Sequence, residues 1–155
     1  MAMLLFYAGE NRFAIDCSSI LRVVPNVILE KVPDRSPFVA GVMALGGELI
    51  PVIDFCHIIE KRATHPFLNS RIILLRDFFS GTNRIVGLLG EKVEAIIDLH
   101  PNQFNQSESY LHQFPYLEKG YHDDRGIIHA INLREFFRFL STTVFLDSGT
   151  ETYAS

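Results

Sequence analysis

The sequence predicts an all-β protein carrying a few short helices, and three observations lead there. Short apolar runs recur along the chain, as in Leu4-Leu5-Phe6-Tyr7, Ile72-Ile73-Leu74-Leu75 and Gly126 to Ile131. Turn signals separate them at close spacing: Gly9-Glu10-Asn11, Gly46-Gly47 and Ser80-Gly81-Thr82-Asn83. Many short runs with regular punctuation are the pattern of a β-barrel or sandwich, in which a few helices act as plugs.

The first two strands are Leu4 to Tyr7 and Arg12 to Asp16, joined by a tight turn. Phe13 and Ile15 alternate with Arg12 and Asp16, so one buried and one wet face are expected. Ser18 or Ser19 can cap a short helix in which Ile20, Val23 and Val24 share a face and which Pro25 ends. Val32 to Pro37 reads as a loop pinned by prolines. Gly41 to Leu45 and Glu48 to Ile53 form a hairpin-like pair, because Gly46-Gly47 supply the positive φ of a tight turn. Pro51 cannot donate to a ladder, which makes its strand an edge or a bulge there. Asp54 then caps a helix over residues 55–61, with Ile58 and Ile59 inward.

Residues 62–70 are polar and mark a boundary between two halves of one domain spanning 1–140. Arg71 to Leu75 and Arg84 to Leu89 flank the next turn, and Lys92 to Leu99 is a further strand. A long polar loop from His100 to His122 carries Phe104, Tyr110, Phe114 and Tyr116 as anchors, before the last strand, Gly126 to Ile131. Asn132 caps the best helix of the chain, with Glu135 placed as in a capping box and Leu133, Phe136, Phe137 and Leu140 on one face. Residues 141–155 are a tail that is polar except at Val144-Phe145-Leu146, fraying from Asp147.

Composition narrows the function classes. With 48% apolar and 21% charged residues in 155, the chain can bury a proper core. A net charge of −4 with scattered Lys and Arg argues against nucleic acid and anionic membranes. No apolar run approaches the roughly 20 residues of a membrane span, and Met1 to Tyr7 lacks the basic region of a signal peptide. Cys17 and Cys56 read as free thiols of a reducing cytoplasm.

The search for chemistry is mostly negative. His57, His65, His100, His112, His122 and His129 form no i, i+4 pair around a Glu and flank no CxxC, so no metal site is expected. His129, mid-strand, is a residue of the solvated face or a satisfied internal hydrogen bonder. Cys17, at a helix N-terminus, could have a lowered pKa, but a small hydrophobe near the core is the simpler reading. There is no Gly-x-Ser-x-Gly elbow, and Gly46-Gly47 lacks the Lys and Ser/Thr of a phosphate cradle. Asp123-Asp124 before Arg125-Gly126 reads as a solvated turn. No catalytic group, cofactor or metal is assigned.

The ordered string of motifs resembles the CheW family over roughly Leu4 to Leu140. It runs through Phe6, Gly9 and Phe13-Ala14-Ile15-Asp16 to Ile20 and Val23, then through the diagnostic stretch Pro37, Gly41-Val42, Leu45, Gly47 and Ile50 to Phe55. Gly87-Leu88-Leu89 with Val93 and Ile96, and Gly120 through Leu133, follow in order. The resemblance implies two five-stranded SH3-like barrels around a shared core, and no active site. It implies a cytoplasmic adaptor between the regulatory domain of a CheA-type histidine kinase and the tip of a methyl-accepting receptor.

Carried over by position, the contact regions hold Ile20, Arg22 and Val23 on the first helix, and Gly41, Gly46 and Gly47 around the hairpin. Two departures stand out. The family's Asn-Leu-Arg-Gly is here Ala44-Leu45-Gly46-Gly47, so the coupling arginine is missing, and Arg22 stands where an acidic residue is usual. A milder one is Glu91, where the Gly-x-x-x-Asp pattern of the second half ends in Asp. A reversed charge at an interface rim favours a different partner, which points to a surface-sensing, motility or second-messenger cascade rather than chemotaxis proper. The alternative is a β-barrel that binds a small ligand or oligonucleotide through its aromatic side chains.

Overall fold

A computed structural model of the chain describes residues 1–25, 27–33, 36–65, 70–79, 81, 83–100, 105–107, 111 and 113–145, with no side-chain description at 105–107, 118 and 119. Strands β1 (Ala2–Ala8) and β2 (Asn11–Asp16) form the first hairpin, with Ala8 opposite Asn11. A single 3-10 turn, Cys17–Ser19, leads into β3 (Ile20–Pro25). Next come β4 (Val39–Leu45), β5 (Glu48–Asp54) and helix α1 (Phe55–Glu60), then β6 (Arg71–Arg76) and the long β7 (Ile85–Asp98). Strands β8 (Asn105–Ser107), β9 (Leu117–Asp123) and β10 (Gly126–Ile131) precede α2 (Leu133–Phe139), which runs into a π-type turn, Leu140–Val144.

The strands divide into two lobes that share β7. In one, the order is β3-β6-β7-β5-β4, using the first half of β7. In the other it is β7-β1-β2-β10-β9-β8, using the second half. The fold is all-β and SH3-like in each lobe, although the pairing among the described residues leaves the barrels open. Strand β7 changes partners where Lys92 adopts a left-handed φ of 47°.

Both faces of the central strands are covered, which explains their unbroken apolar runs. Leu4 and Phe6 point into the core between the lobes, while Met3 and Leu5 point into the lobe of β10. Likewise Ile73 and Leu75 face the shared core, and Ile72 and Leu74 fill the lobe of β5. Alternation at period two therefore distributes side chains between two interiors rather than between core and water. The helices plug the shared core: Phe55 of α1 packs edge-on to Phe13 at 4.9 Å and to Phe6 at 5.4 Å, and Phe136 of α2 lies edge-on to Tyr116 at 5.2 Å.

Several expectations are met. The β4–β5 hairpin turns at Gly46 (φ 57°) and Gly47 (φ 84°), with Leu45 opposite Glu48. Asp54 caps α1 by accepting from the His57 N–H, and Asn132 caps α2 by accepting from the Glu135 N–H. Leu133, Phe136, Phe137 and Leu140 are buried. The strand of Pro51, in contrast, is neither an edge nor bulged there: β5 lies between β4 and β7, and Pro51 pairs in register with Val42 just before the parallel ladder to β7 begins at Val52.

Others are corrected. The expected helix at Ile20, Val23 and Val24 is strand β3, and only the 3-10 turn before it is helical. Asp16, not a serine, caps that turn, by accepting from the Ser18 N–H. Three β-branched residues in six, and a ladder with β6, outweigh a weak helical spacing. Lys92 to Leu99 is not a separate strand but the continuation of β7. The loop from His100 to His122 contains β8 and most of β9; Phe104 and Tyr110 lie outside the described residues, while Tyr116 is buried. Strand β2 has no wet face at Arg12, which is 5% exposed. The Glu135 side chain does not close the capping box: it binds Arg138 at 3.0 Å, while the Asn132 N–H donates to the Tyr116 carbonyl at 2.7 Å.

Candidate functional site

Strand β3 is the outer strand of its lobe, hydrogen-bonded on one side to β6. Its register slips at Leu21, so Leu21, Arg22 and Val23 are all exposed, while Ile20 packs against the shared core and Val24 against the lobe interior. Val27 and fully exposed Ile28 follow. The chain then returns to bridge β4 through Glu30 and Val42, whose N–H groups each donate to the other's carbonyl at 3.1 and 2.9 Å. Exposed Leu49 stands on the β4–β5 hairpin of the same lobe.

The three glycines differ. A Cβ at Gly41 would stand 2.7 Å from the Glu30 carbonyl oxygen and 2.7 Å from the Leu29 Cβ, so glycine is required there by the bridge. Gly46 and Gly47 stand at the hairpin tip with nothing described within 4 Å of such a Cβ. Their role inside the chain is turn geometry, and no described residue fills the space above them. The structure thus brings Ile20, Arg22 and Val23 together on one edge strand, and places Gly46 and Gly47 at the tip of the β4–β5 hairpin at the other end of the same lobe's strand order.

Arg12 and Glu91 are buried charged residues whose partners the sequence did not indicate. Arg12 makes a two-pronged ion pair with Asp123, at 3.0 and 2.5 Å, tying β2 to the β9–β10 turn. The guanidinium's hydrogen bonds hold the Asp123 carboxyl below the usual range. Glu91 is 1% exposed at the bend of β7. Burial alone would raise its pKa, but Arg62 at 3.0 Å, the His65 N–H at 2.8 Å and the Gly9 N–H at 3.1 Å hold it below the usual range. It joins the β1–β2 turn to the segment after α1.

No reactive constellation accompanies them. Burial, then the charge of Asp16, raises the Cys17 thiol, contrary to the lowered pKa a helix N-terminus would give. Burial, then Glu91, pushes Cys56 up to about 12. His129 is fully buried beside the Phe13 ring, 5.4 Å away, which removes the solvated-face reading; burial lowers its pKa to about 4. Among the described residues no three His, Cys, Asp or Glu side chains gather as metal ligands, and no helix is long and apolar enough to cross a membrane.

Two SH3-like lobes share one core, and the β3 edge of one of them exposes Leu21 and Val23 beside Arg22. The CheW-like domain model matches residues 2–139, and the chain belongs to the CheW-like family. Among solved structures, the scaffolding protein TtCheW from Thermoanaerobacter tengcongensis shares the fold, with a TM-score of 0.74. The two are 23% identical over 88% of this chain and 86% of the other. No curated protein matches the sequence.

Proposed function

We propose that this chain is a non-enzymatic cytoplasmic adaptor that couples the tip of a methyl-accepting receptor to the regulatory domain of a CheA-type histidine kinase. One observation carries the reading beyond family membership. The lobe of β3 to β6 exposes Leu21, Val23, Val27 and Ile28 along the chain on either side of a charged Arg22 and Pro25, and Leu49 on its β4–β5 hairpin, and exposed large apolar side chains mixed with charge suit protein binding. Ile20, Arg22 and Val23 on β3, with Gly41, Gly46 and Gly47 around the hairpin, are the proposed contact region. Gly41 acts there through the backbone it permits.

Gly46 cannot offer the five-donor fork of an arginine, a contact worth about 1.5–3 kcal/mol when charge-assisted. Arg22 instead supplies a positive charge on the edge strand. The cognate partner is therefore acidic opposite Arg22 and needs no fork at position 46, which fits a specialised pathway such as surface sensing or motility. The test is a titration of Arg22→Glu and Gly46→Arg against the kinase encoded beside this gene, at two salt concentrations. Arg22→Glu should weaken binding about tenfold or more at low salt and less at high salt. Gly46→Arg should bring no gain. Parent-like binding by Arg22→Glu together with tighter binding by Gly46→Arg would identify a degraded general coupler instead.

A further inference from the structure

Away from the β3 edge, the loop between β6 and β7 leans on α2. Phe79, 38% exposed, packs beside Phe137 with ring centres 6.2 Å apart, and the Arg134 guanidinium lies 4.8 Å above the Phe79 ring. This stack separates two depressions that share its residues. One, of about 240 Å³, is walled by Phe137, Arg138 and Ser141; the other, of about 350 Å³, runs toward Met3, Tyr121 and the carboxylate of Asp16. Phe78 next to it is 60% exposed.

The charges around the stack are unequal in their satisfaction. Arg138 is held by Glu135 at 3.0 Å. Arg84 reaches Ser141 at 3.4 Å and lies 4.6 Å over the Phe145 ring. Among the described residues Arg134 meets no carboxylate, in a chain whose net charge is −4. A guanidinium stacked on a ring keeps its in-plane N–H donors free, and these match a carboxylate. We propose that the groove astride Phe79 and Arg134 docks an acidic linear segment of a partner protein, its carboxylate on Arg134 and an adjacent aromatic side chain in the smaller depression, beside Phe137.

The proposal goes beyond the coupling function and does not depend on it. Backbone amide shifts of the full chain report it, with three synthetic peptides as probes: a phenylalanine flanked by two glutamates on each side, the same with lysines, and an alanine in glutamates. The first should give saturable shifts centred on Phe79, Arg134, Phe137 and Ser141. Each control should bind at least fivefold more weakly. Arg134→Glu should weaken the first peptide about tenfold while the remaining spectrum is preserved. Glu135→Gln, which releases Arg138, should tighten it. Equal binding of the lysine peptide, or no saturable shift with the first, would overturn the proposal. So would shifts at Phe79 and Arg134 caused, without peptide, by replacing Asp147 and Glu151 with their amides, since this chain's own residues 146–155 would then be the occupant.

Discussion

The two lobes are built alike and finished differently. The lobe of β1, β2, β9 and β10 is tied by polar contacts between its strands: Arg12 is locked to Asp123, Arg125 donates to the Tyr7 hydroxyl at 2.6 Å, and His129 is buried inside. Ile96 is its one large apolar side chain, Met1 aside, that is exposed among the described residues. The lobe of β3 to β6 has an equally apolar interior but leaves five large apolar side chains on its edge and hairpin. A buried two-pronged ion pair such as Arg12–Asp123 specifies one arrangement, whereas exposed apolar side chains leave their surface unburied. One lobe is finished by buried ion pairing, and the other carries the edge proposed above as a contact region.

That division presumes that the lobes fold as one unit through their common core. Phe136 sits at its centre with no exposure, against Phe55 and Tyr116. Phe136→Ala should therefore cost about 3–5 kcal/mol, the range of core Phe truncations. Arg134→Ala and Arg138→Ala, on the wet face of α2, should stay within about 0.5 kcal/mol. Urea denaturation followed separately by far-ultraviolet circular dichroism and by tyrosine fluorescence should give one coincident transition for each variant. Separate midpoints would break the comparison, because the lobes would then be independent domains. An unchanged midpoint for Phe136→Ala would mean that α2 is not docked.

The second test concerns the lobe of β1, β2, β9 and β10 alone. Burial holds the His129 pKa near 4, against 6.5 for a free imidazole, so the unfolded chain takes up a proton that the folded chain refuses. Stability is therefore whole above pH 6.5 and declines as pH falls toward 4, by an amount on the order of 3 kcal/mol. The depressed carboxyls of Glu91 and Asp123 act in a lower window, losing their contribution only as pH falls through the carboxylate range. Replacing His129 by Gln should flatten the decline between pH 6.5 and 4.5 in denaturation series, leaving the lower window in place. Parallel curves for the two proteins would show that His129 is hydrated in the native state.

What could be read from the sequence follows the range of the interactions. The cap of Asn132 and the face of Leu133, Phe136, Phe137 and Leu140 are local, and α2 stands where they put it. The Gly46-Gly47 turn is local too. Ile20 to Val24 carried a spacing compatible with a helix, and only the ladder to β6 decides for a strand. Strand β9 includes Glu118, Lys119, Gly120 and His122, a poor strand by composition, and it forms because β10 lies beside it. Arg12 and Glu91 depend on partners far away in the chain, Asp123 being 111 residues from Arg12. The proposed contact residues are carried over by position in the family pattern, and the exposure of Leu21 comes from a register slip that no spacing announces.

The smallest expected effect separates structure from recognition within the lobe of β3 to β6. Gly41 and Gly46 both belong to the β4–β5 pair, and both stand at positions matched to the family's contact region. At Gly41 an added methyl meets the Glu30 carbonyl oxygen and the Leu29 Cβ at 2.7 Å, and the two-way bridge from Glu30 to Val42 cannot yield without losing its hydrogen bonds. Gly41→Ala should cost about 1–3 kcal/mol, as overpacking does. At Gly46 the methyl meets nothing described within 4 Å, and the cost is that of holding an L-residue at φ 57°, about 1 kcal/mol. Thermal melts of the two variants against the parent should rank them in that order. If Gly46→Ala lost as much as Gly41→Ala, the hairpin tip would be packed rather than open. The room above it, which a partner needs, would not exist.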